Sequence, residues 1–468
     1  MYKILSALLL FSSSVFSQSL TIDDSFDQGT GLPVGSIIKN VTEFTNNRIL
    51  LMGHMNMYNG VAVGNISLIN SDGSVDYNFN CGSCFNNEIT TAVAQGDKLV
   101  IGGAFTEFNG VPRKFFARLN EDGSLDSSFD ASASFDEAVD ATMYISQISS
   151  FGNYPFQQLY VSGGFSIDGM PYVNPIIRLN FDGSLDTTFN FQINFIAPYI
   201  ESFAVLDNGK ILVGTFSDGL FRINSDGSLD ESFNTFDTYH CVINSIHVLD
   251  NGKILLGGHF FDNDSQTRSL LVRLNEDGSV DDLYDSFEVN FNGINSEIYS
   301  ITKFNDKIIC TGKFSSYNGF DDFFVLNEDG SFDDSFNIGG VTSEFYAENN
   351  YISQAVVLNN SKIMIYGRFD KVGESPIVNL ARLGYDDLNA NDYDKSNDLT
   401  IYSQNETTYF SSVNNSISSI EFYDISGRLI DSAIVNSDVY SCTLPNNSLI
   451  LYRIFLNDGA IVTGKVIR

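Results

Sequence analysis

The sequence predicts an all-β protein in which seven four-stranded sheets close into a ring and a small antiparallel sandwich follows. Three observations carry this. One phrase, Asn-x-Asp-Gly-Ser-Leu-Asp-x-Ser-Phe, recurs along residues 68–336. A second, nearly continuous apolar phrase ending in Gly-x-Phe recurs in step with it. After Gly384 both phrases stop and a different alternation begins.

The 468 residues suffice for one large repeat domain and a small second one, and 43% hydrophobic residues is a globular composition. Residues 1–17 have the layout of a secretory signal, with Lys3 before the apolar stretch Ile4–Phe11 and a cut after Val15-Phe16-Ser17 that leaves Gln18 first. That stretch is far shorter than the roughly 20 apolar residues a membrane span needs, and no later stretch approaches it. The chain is therefore expected to be exported, with no transmembrane segment. A net charge of −33 repels nucleic acid and anionic lipid, so neither is an expected partner. The same charge keeps a surface protein soluble, and a monomer is expected. Cys81-Gly82-Ser83-Cys84 is spaced to close a small local disulfide in an oxidising compartment, and Cys310 reads as buried filler.

The repeat gives residues 18–385 their architecture. The turn glycines Gly73, Gly123, Gly183, Gly227, Gly278 and Gly330 are 50, 60, 44, 51 and 52 residues apart, a propeller-blade period. The shortest unit shows the plan: Ile200–Leu206, a turn at Asp207-Asn208-Gly209, Lys210–Phe216, a turn at Ser217-Asp218-Gly219, Leu220–Asn224, a turn at Ser225-Asp226-Gly227, and Ser228–Phe233. Asn-Gly and Asp-Gly pairs tolerate positive φ and suit antiparallel hairpins, so each unit is expected to be a four-stranded meander. The second strands are Ile49–Met55, Leu99–Phe105, Leu159–Phe165, Ile211–Phe216, Ile254–Phe260, Ile308–Phe314 and Ile363–Phe369. Their apolar character suits burial on both faces, and their glycines suit close backbone approach. The seventh unit ends at Arg382-Leu383-Gly384 without a fourth strand, while Ile22-Asp23-Asp24-Ser25-Phe26 stands alone at the start. A seven-bladed β-propeller closed by the N-terminal strand is the predicted fold, with no open edge at its seam.

These phrases resemble the delta-sixty repeat, a propeller family whose function is largely undefined. The resemblance covers about residues 20–385, with Tyr284 replacing the terminal Phe once and Gly53-His54-Met55 departing in the first unit.

Residues 386–398 read as an acidic linker and residues 399–468 as an antiparallel β-sandwich, with a hairpin turning at Ser426-Gly427 and a turn at Leu444-Pro445-Asn446-Asn447. Tyr423, Asp424, Gly427 and Arg428, the Leu444-Pro445 turn and Thr463-Gly464-Lys465-Val466-Ile467 resemble the C-terminal sorting domain of type IX secretion. Asn447 departs from the Gly usual there. The resemblance implies the type IX machinery as a partner, passage through the outer membrane, and release or anchoring at the cell surface.

No catalytic constellation is evident. Asn120-x-Asp122-Gly123-x-x-Asp126 looks superficially like a calcium loop but lacks the closing bidentate acid, so turn chemistry is the favoured reading over calcium, and no cofactor is expected. His54 and His259 hold one position in different units, and His240 and His247 lack ligands at metal spacing. Glu88 and Glu297 break the pattern at the start of the innermost strand, where Ile38, Ile200, Ile243 and Ile352 stand elsewhere; they are candidates for binding at one mouth of a central channel. The third unit's extra length, assigned to Asp130–Gln158, offers a second candidate surface in Asp140, Tyr144, Phe151 and Tyr154. The expected function is a non-catalytic surface module that binds a glycan or protein; a secreted hydrolase or lyase using the channel is the rival.

Overall fold

A computed structural model of the chain describes residues 20–26, 29, 31–135, 144–152, 157–165, 176–191, 200–235, 241–262, 267–281, 288–289, 296–314, 321–333, 336–345, 349–385, 399–404, 407–412, 416–423, 428–443, 449–457 and 461–467. The chain divides into two compact units, Ser19–Tyr385 and a C-terminal one beginning at Asp386. The signal-like residues 1–17 and the acidic residues 386–398 lie outside the described residues.

In the larger unit each repeat folds as an inner, a middle and a third strand, all antiparallel. The inner strands are Ile37–Phe44, Ile89–Gln95, Tyr144–Phe151, Ile200–Val205, Val242–Val248, Glu297–Phe304 and Tyr351–Val357. Each pairs with its middle strand, the apolar phrase of the sequence, which in turn pairs with a third strand. The middle strands are almost wholly buried, as at Ile49–Met52 and Leu99–Ile101.

The fourth strand differs from expectation. After each Asp-Gly turn the chain makes one isolated bridge, such as Ile69 to Val75, Leu119 to Leu125 or Ile223 to Leu229, and then turns away. The Asp that follows causes the departure. Asp126 Oδ1 accepts hydrogen bonds from Ser128 N and Oγ, an Asx turn that ends the extended backbone. Among the described residues two repeats have a fourth strand: in the fifth, Glu288–Val289 pairs with Arg268–Ser269, and in the seventh the N-terminus supplies it, Leu20–Ile22 pairing with Leu383–Tyr385. Ile22 and Asp23 take the places that Val75 and Asp76 hold in the first repeat.

Apolar side chains fill the gaps between successive sheets, each large side chain contributing about 1.5–3 kcal/mol. Phe115, Phe116 and Val100 of the second repeat pack with Ile145, Leu159 and Val161 of the third. Met364, Tyr366 and Leu380 of the seventh pack with Ile38, Ile49 and Leu51 of the first.

Every inner strand carries a β-bulge, directly after an isoleucine. The isoleucines are Ile38, Ile89, Ile145, Ile200, Ile243, Ile298 and Ile352, and the bulged residues are Lys39, Thr90, Ser146, Glu201, Asn244, Tyr299 and Ser353. In six repeats the bulge swings the carbonyl before the isoleucine towards a glycine of the middle strand; Thr215 holds the glycine's place in the fourth. A Cβ on Gly312 would lie 2.1 Å from the Glu297 carbonyl oxygen, and one on Gly103 2.3 Å from that of Glu88. Gly312→Ala is therefore expected to destabilise the protein by roughly 1–3 kcal/mol through overpacking. Urea denaturation of the variant checks this, with Thr215→Ala, which adds no atom, as the comparison.

The C-terminal unit is two antiparallel sheets. One is Leu399–Gln404, Thr407–Ser412 and Val439–Cys442; the other runs Leu429–Ser437, Ile417–Tyr423, Leu449–Leu456 and Ile461–Ile467. Phe410 of the first sheet packs on Phe422 and Tyr452 of the second, ring centroids 5.6 and 5.4 Å apart. Leu429–Ser437 is an edge strand whose Ile434 side chain is almost fully exposed.

Candidate functional site

The bulges determine what the inner strands present at one end. In three repeats the bulged residue reaches the residue just before the isoleucine of the next inner strand, across the gap between repeats. Lys39 Nζ lies 3.4 Å from Glu88 Oε1. Asn244 Nδ2 donates to Glu297 Oε2 at 3.3 Å and to the Ile298 carbonyl at 3.1 Å. Tyr299 and Tyr351 meet edge to face with centroids 5.5 Å apart. The same contact position is thus used for an ion pair, a hydrogen bond and an aromatic pair.

Register corrects the sequence reading of Glu88 and Glu297. Ile89 and Ile298, not the two glutamates, align with Ile38, Ile200, Ile243 and Ile352. Glu88 and Glu297 stand one residue earlier, with Ile37, Tyr144, Val242 and Tyr351. That one-residue shift turns the side chain to the other face of the strand. Glu88 is engaged by Lys39 and by His54 Nε2, 3.2 Å away. Glu297 keeps different company, being hydrogen-bonded by Asn244 and electrostatically coupled to Glu201.

Glu201 is the residue that the repeat pattern did not single out. It is the bulged residue of the fourth repeat, and Val242, its counterpart on the next strand, offers no partner. Glu201 keeps contact with solvent, yet surrounding protein raises its pKa by desolvation, and the Glu297 charge adds to the rise. Tyr299 is pushed up to about 12 by burial, then by Glu297, Tyr351 and Asp322. Among the described residues neither Glu201 nor Glu297 forms an ion pair, although Lys313 stands cross-strand from Glu297; these carboxylates and the two tyrosines thus differ in character from the paired Lys39–Glu88–His54 group. Once pairing has located the bulge, aligning the repeats on the isoleucine places Glu201 in line with Lys39, Asn244 and Tyr299.

The second candidate surface dissolves in part. Tyr144 and Phe151 are the ends of the third inner strand, and Phe135 is buried in the core, so these residues are not an insertion. The sequence misassigned them because residues 130–143 precede the strand and lengthen the apparent unit. Phe151 packs on Tyr160 at 6.2 Å. Asp140 and Tyr154 lie outside the described residues.

The turn residues have their own work. Asp122 Oδ1 accepts from Ser124 N and Oγ, and Gly123 has φ +84°. Asp126 is held at about 2: burial opposes this, but hydrogen bonds from Ser128 and Arg118 and the Arg118 charge outweigh it. Arg118 then donates through Nη1 to the Phe181 carbonyl of the next repeat and lies over Phe129. Arg178 repeats the device towards the Ser225 carbonyl, and Arg222 towards that of Glu276. Among the described residues no group of three or more His, Cys, Asp or Glu is placed to hold a metal. Cys81 and Cys84 are joined in a disulfide; Asn109 clasps their loop, accepting from Cys84 N and donating to the Cys81 carbonyl. Cys310 is buried, and burial pushes its thiol up.

In the C-terminal unit Tyr423 is half-buried, its hydroxyl donating to Glu421, with Arg453 over its ring at 5.8 Å. Arg428 is exposed, and Lys465 lies on the last strand opposite Leu451. Asp424 and Gly427 lie outside the described residues.

Comparison with known proteins agrees with the repeat. A family described as a domain of unknown function (DUF5122) beta-propeller matches residues 45–79, 95–129, 158–189, 206–233, 249–283 and 305–336. The chain therefore carries β-propeller repeats. A second domain of unknown function (DUF8694) matches residues 388–468. No curated protein sequence is similar to the chain. One similar solved structure is named as the extracellular domain of a one-component system from B. thetaiotaomicron, at 13% identity and a TM-score of 0.43. The match covers 94% of this chain and 54% of the other, so this chain spans about half the length of that one. No helix among the described residues is long and apolar enough to cross a membrane.

Proposed function

We propose that the repeat unit is a seven-bladed β-propeller, closed by its N-terminal strand, that acts outside the cell as a non-catalytic binding module. The C-terminal unit is its sorting domain for type IX secretion. Closure is supported by the pairing of Leu20–Ile22 with the seventh repeat and by Asn379 Nδ2 donating to the Ser36 carbonyl at 2.6 Å. Export is supported by the signal-like residues 1–17, and type IX delivery by the resemblance in residues 423–467.

The observation that carries the binding reading is the shared end of the inner strands. There Glu201 of the fourth repeat, Glu297 and Tyr299 of the sixth and Tyr351 of the seventh stand at the same end of their strands, with two carboxylates to accept hydrogen bonds and two rings to stack. Such a surface suits a ligand rich in hydroxyl donors, such as a surface glycan. The rival, a polymer-degrading hydrolase or lyase, draws on the same pair, because Glu201 is raised beside Glu297.

Glycan, peptide and cell-wall arrays probed with the full chain, with and without calcium, test the proposal. Expected is a ligand whose binding falls at least about tenfold in Glu201→Gln/Glu297→Gln, as when a hydrogen-bonded charge is lost. Turnover of a polymer that either single substitution abolishes would replace binding with catalysis. Binding unchanged in the double variant would move the site elsewhere.

A further inference from the structure

At the opposite end of the inner strands, between the fourth and fifth repeats, lies a cavity of about 740 Å³. Its walls include Leu206, Leu212, Ile246 and Val248, and its rim includes Asp207, Asp250 and Glu276. The space has a local cause. Leu206 and Leu249 occupy the strand-end position that Phe44, Phe151 and Phe304 hold in the first, third and sixth repeats. Leu206, smaller than phenylalanine and facing the fifth repeat beside Ile246 and Val248, leaves the gap unfilled.

The rim charges are unevenly compensated. Asp250 is paired with Lys303, and Arg222 is held by Asp230 and the Glu276 carbonyl oxygen. Among the described residues, no hydrogen bond or ion pair engages the carboxylates of Asp207 and Glu276, and both residues are exposed. His247 lines the same cavity with its Nε2 buried and without a hydrogen-bond partner. Burial, and then the Lys303 charge, lower its pKa against the pull of Asp250, so His247 adds no positive charge there at neutral pH.

The geometry points to a docking site for a lysine or arginine side chain of a basic peptide segment in a partner protein. An aliphatic stem would lie along Leu206, Ile246 and Val248, while the cationic head meets Asp207 and Glu276. Long basic side chains bind in this manner, apolar along the stem and charged at the tip. Charge complementarity selects this occupant over an anionic or purely apolar one. This site is separate from the Glu201–Glu297 group and does not depend on its role.

The test is titration calorimetry of the full chain with an acetylated, amidated tetrapeptide of alternating leucine and lysine. Binding that weakens with rising salt is expected. Asp207→Asn/Glu276→Gln should weaken it about fivefold, the scale of two partly exposed ion pairs. Leu206→Phe, which supplies the ring other repeats carry, should abolish binding with the melting temperature retained. Glu201→Gln/Glu297→Gln should leave it unchanged. The proposal is overturned if the wild-type chain does not bind the peptide or if a glutamate-for-lysine peptide binds equally well. It is also overturned if the Asp207/Glu276 variant binds like wild type, or if the Glu201/Glu297 variant alone loses binding.

Discussion

Arg382→Ala is expected to lower stability by about 3 kcal/mol, the low end of the cost of breaking a buried ion pair, because Lys362 Nζ remains 3.5 Å from Asp23. The Arg382 and Asp23 side chains are 4% and 7% exposed, and Nε donates to Asp23 Oδ2 at 2.8 Å. The same guanidinium donates to Ser25 Oγ and to the Ser71 carbonyl, and lies over the Phe26 ring at 4.6 Å. One side chain thus links the N-terminal segment, the seventh repeat and the turn of the first. Burial opposes ionisation of Asp23, yet the Ser25 hydrogen bonds and Arg382 hold its pKa below the ordinary carboxylate range. Equilibrium urea unfolding measures the loss. Arg222→Ala removes the analogous link from a more exposed position, and should cost clearly less. Equal losses at the two positions would show that the N-terminal seam has no special weight.

Asp322→Asn is expected to stabilise the protein above neutral pH and to destabilise it slightly near pH 4, by about 1 kcal/mol, where only the lost Asn350 hydrogen bond counts. Asp322 is 3% exposed, with Oδ1 accepting from Phe314 N and Oδ2 from Asn350 Nδ2. Burial raises its pKa to about 7; the two hydrogen bonds oppose the rise, Asp321 adds to it and Lys313 opposes it. A carboxyl whose folded pKa lies above its unfolded one destabilises the fold as pH rises between them. The penalty is absent below the unfolded value, grows from about pH 4, and is complete above about pH 7. Its size is at most about 4 kcal/mol. Losing the Asn350 hydrogen bond gives back about 1 kcal/mol of that gain. Melting temperatures of both proteins from pH 4 to 8.5 check the sign: the curves should cross, the wild type slightly higher at the acid end and the variant clearly higher at the basic end. The related position of the seventh repeat is Asn379, which has positive φ like Asp322 and makes the equivalent hydrogen bond with an uncharged side chain.

Much of this architecture is legible in the chain itself. Turn glycines such as Gly123 and Gly227, the paired serines and aspartates, and the apolar middle strands are local signals: a hairpin loop with one left-handed residue is determined within a few residues. The orphan segment Ile22–Phe26 pointed to its missing sheet for the same reason, since a repeat makes any unmatched strand visible. Tertiary structure decided the rest. The one-residue slip of Glu88 and Glu297 depends on where each bulge falls, and a bulge is set by pairing between strands, not by either strand alone. Tyr144 and Phe151 became inner-strand residues because packing against neighbouring repeats outweighs the spacing of turn signals. The grouping of Glu201 with Glu297, and the cavity between Leu206 and Val248, join residues from different repeats. Contacts between repeats carry no signature within one period, so only the folded arrangement reveals which side chains face each other across them.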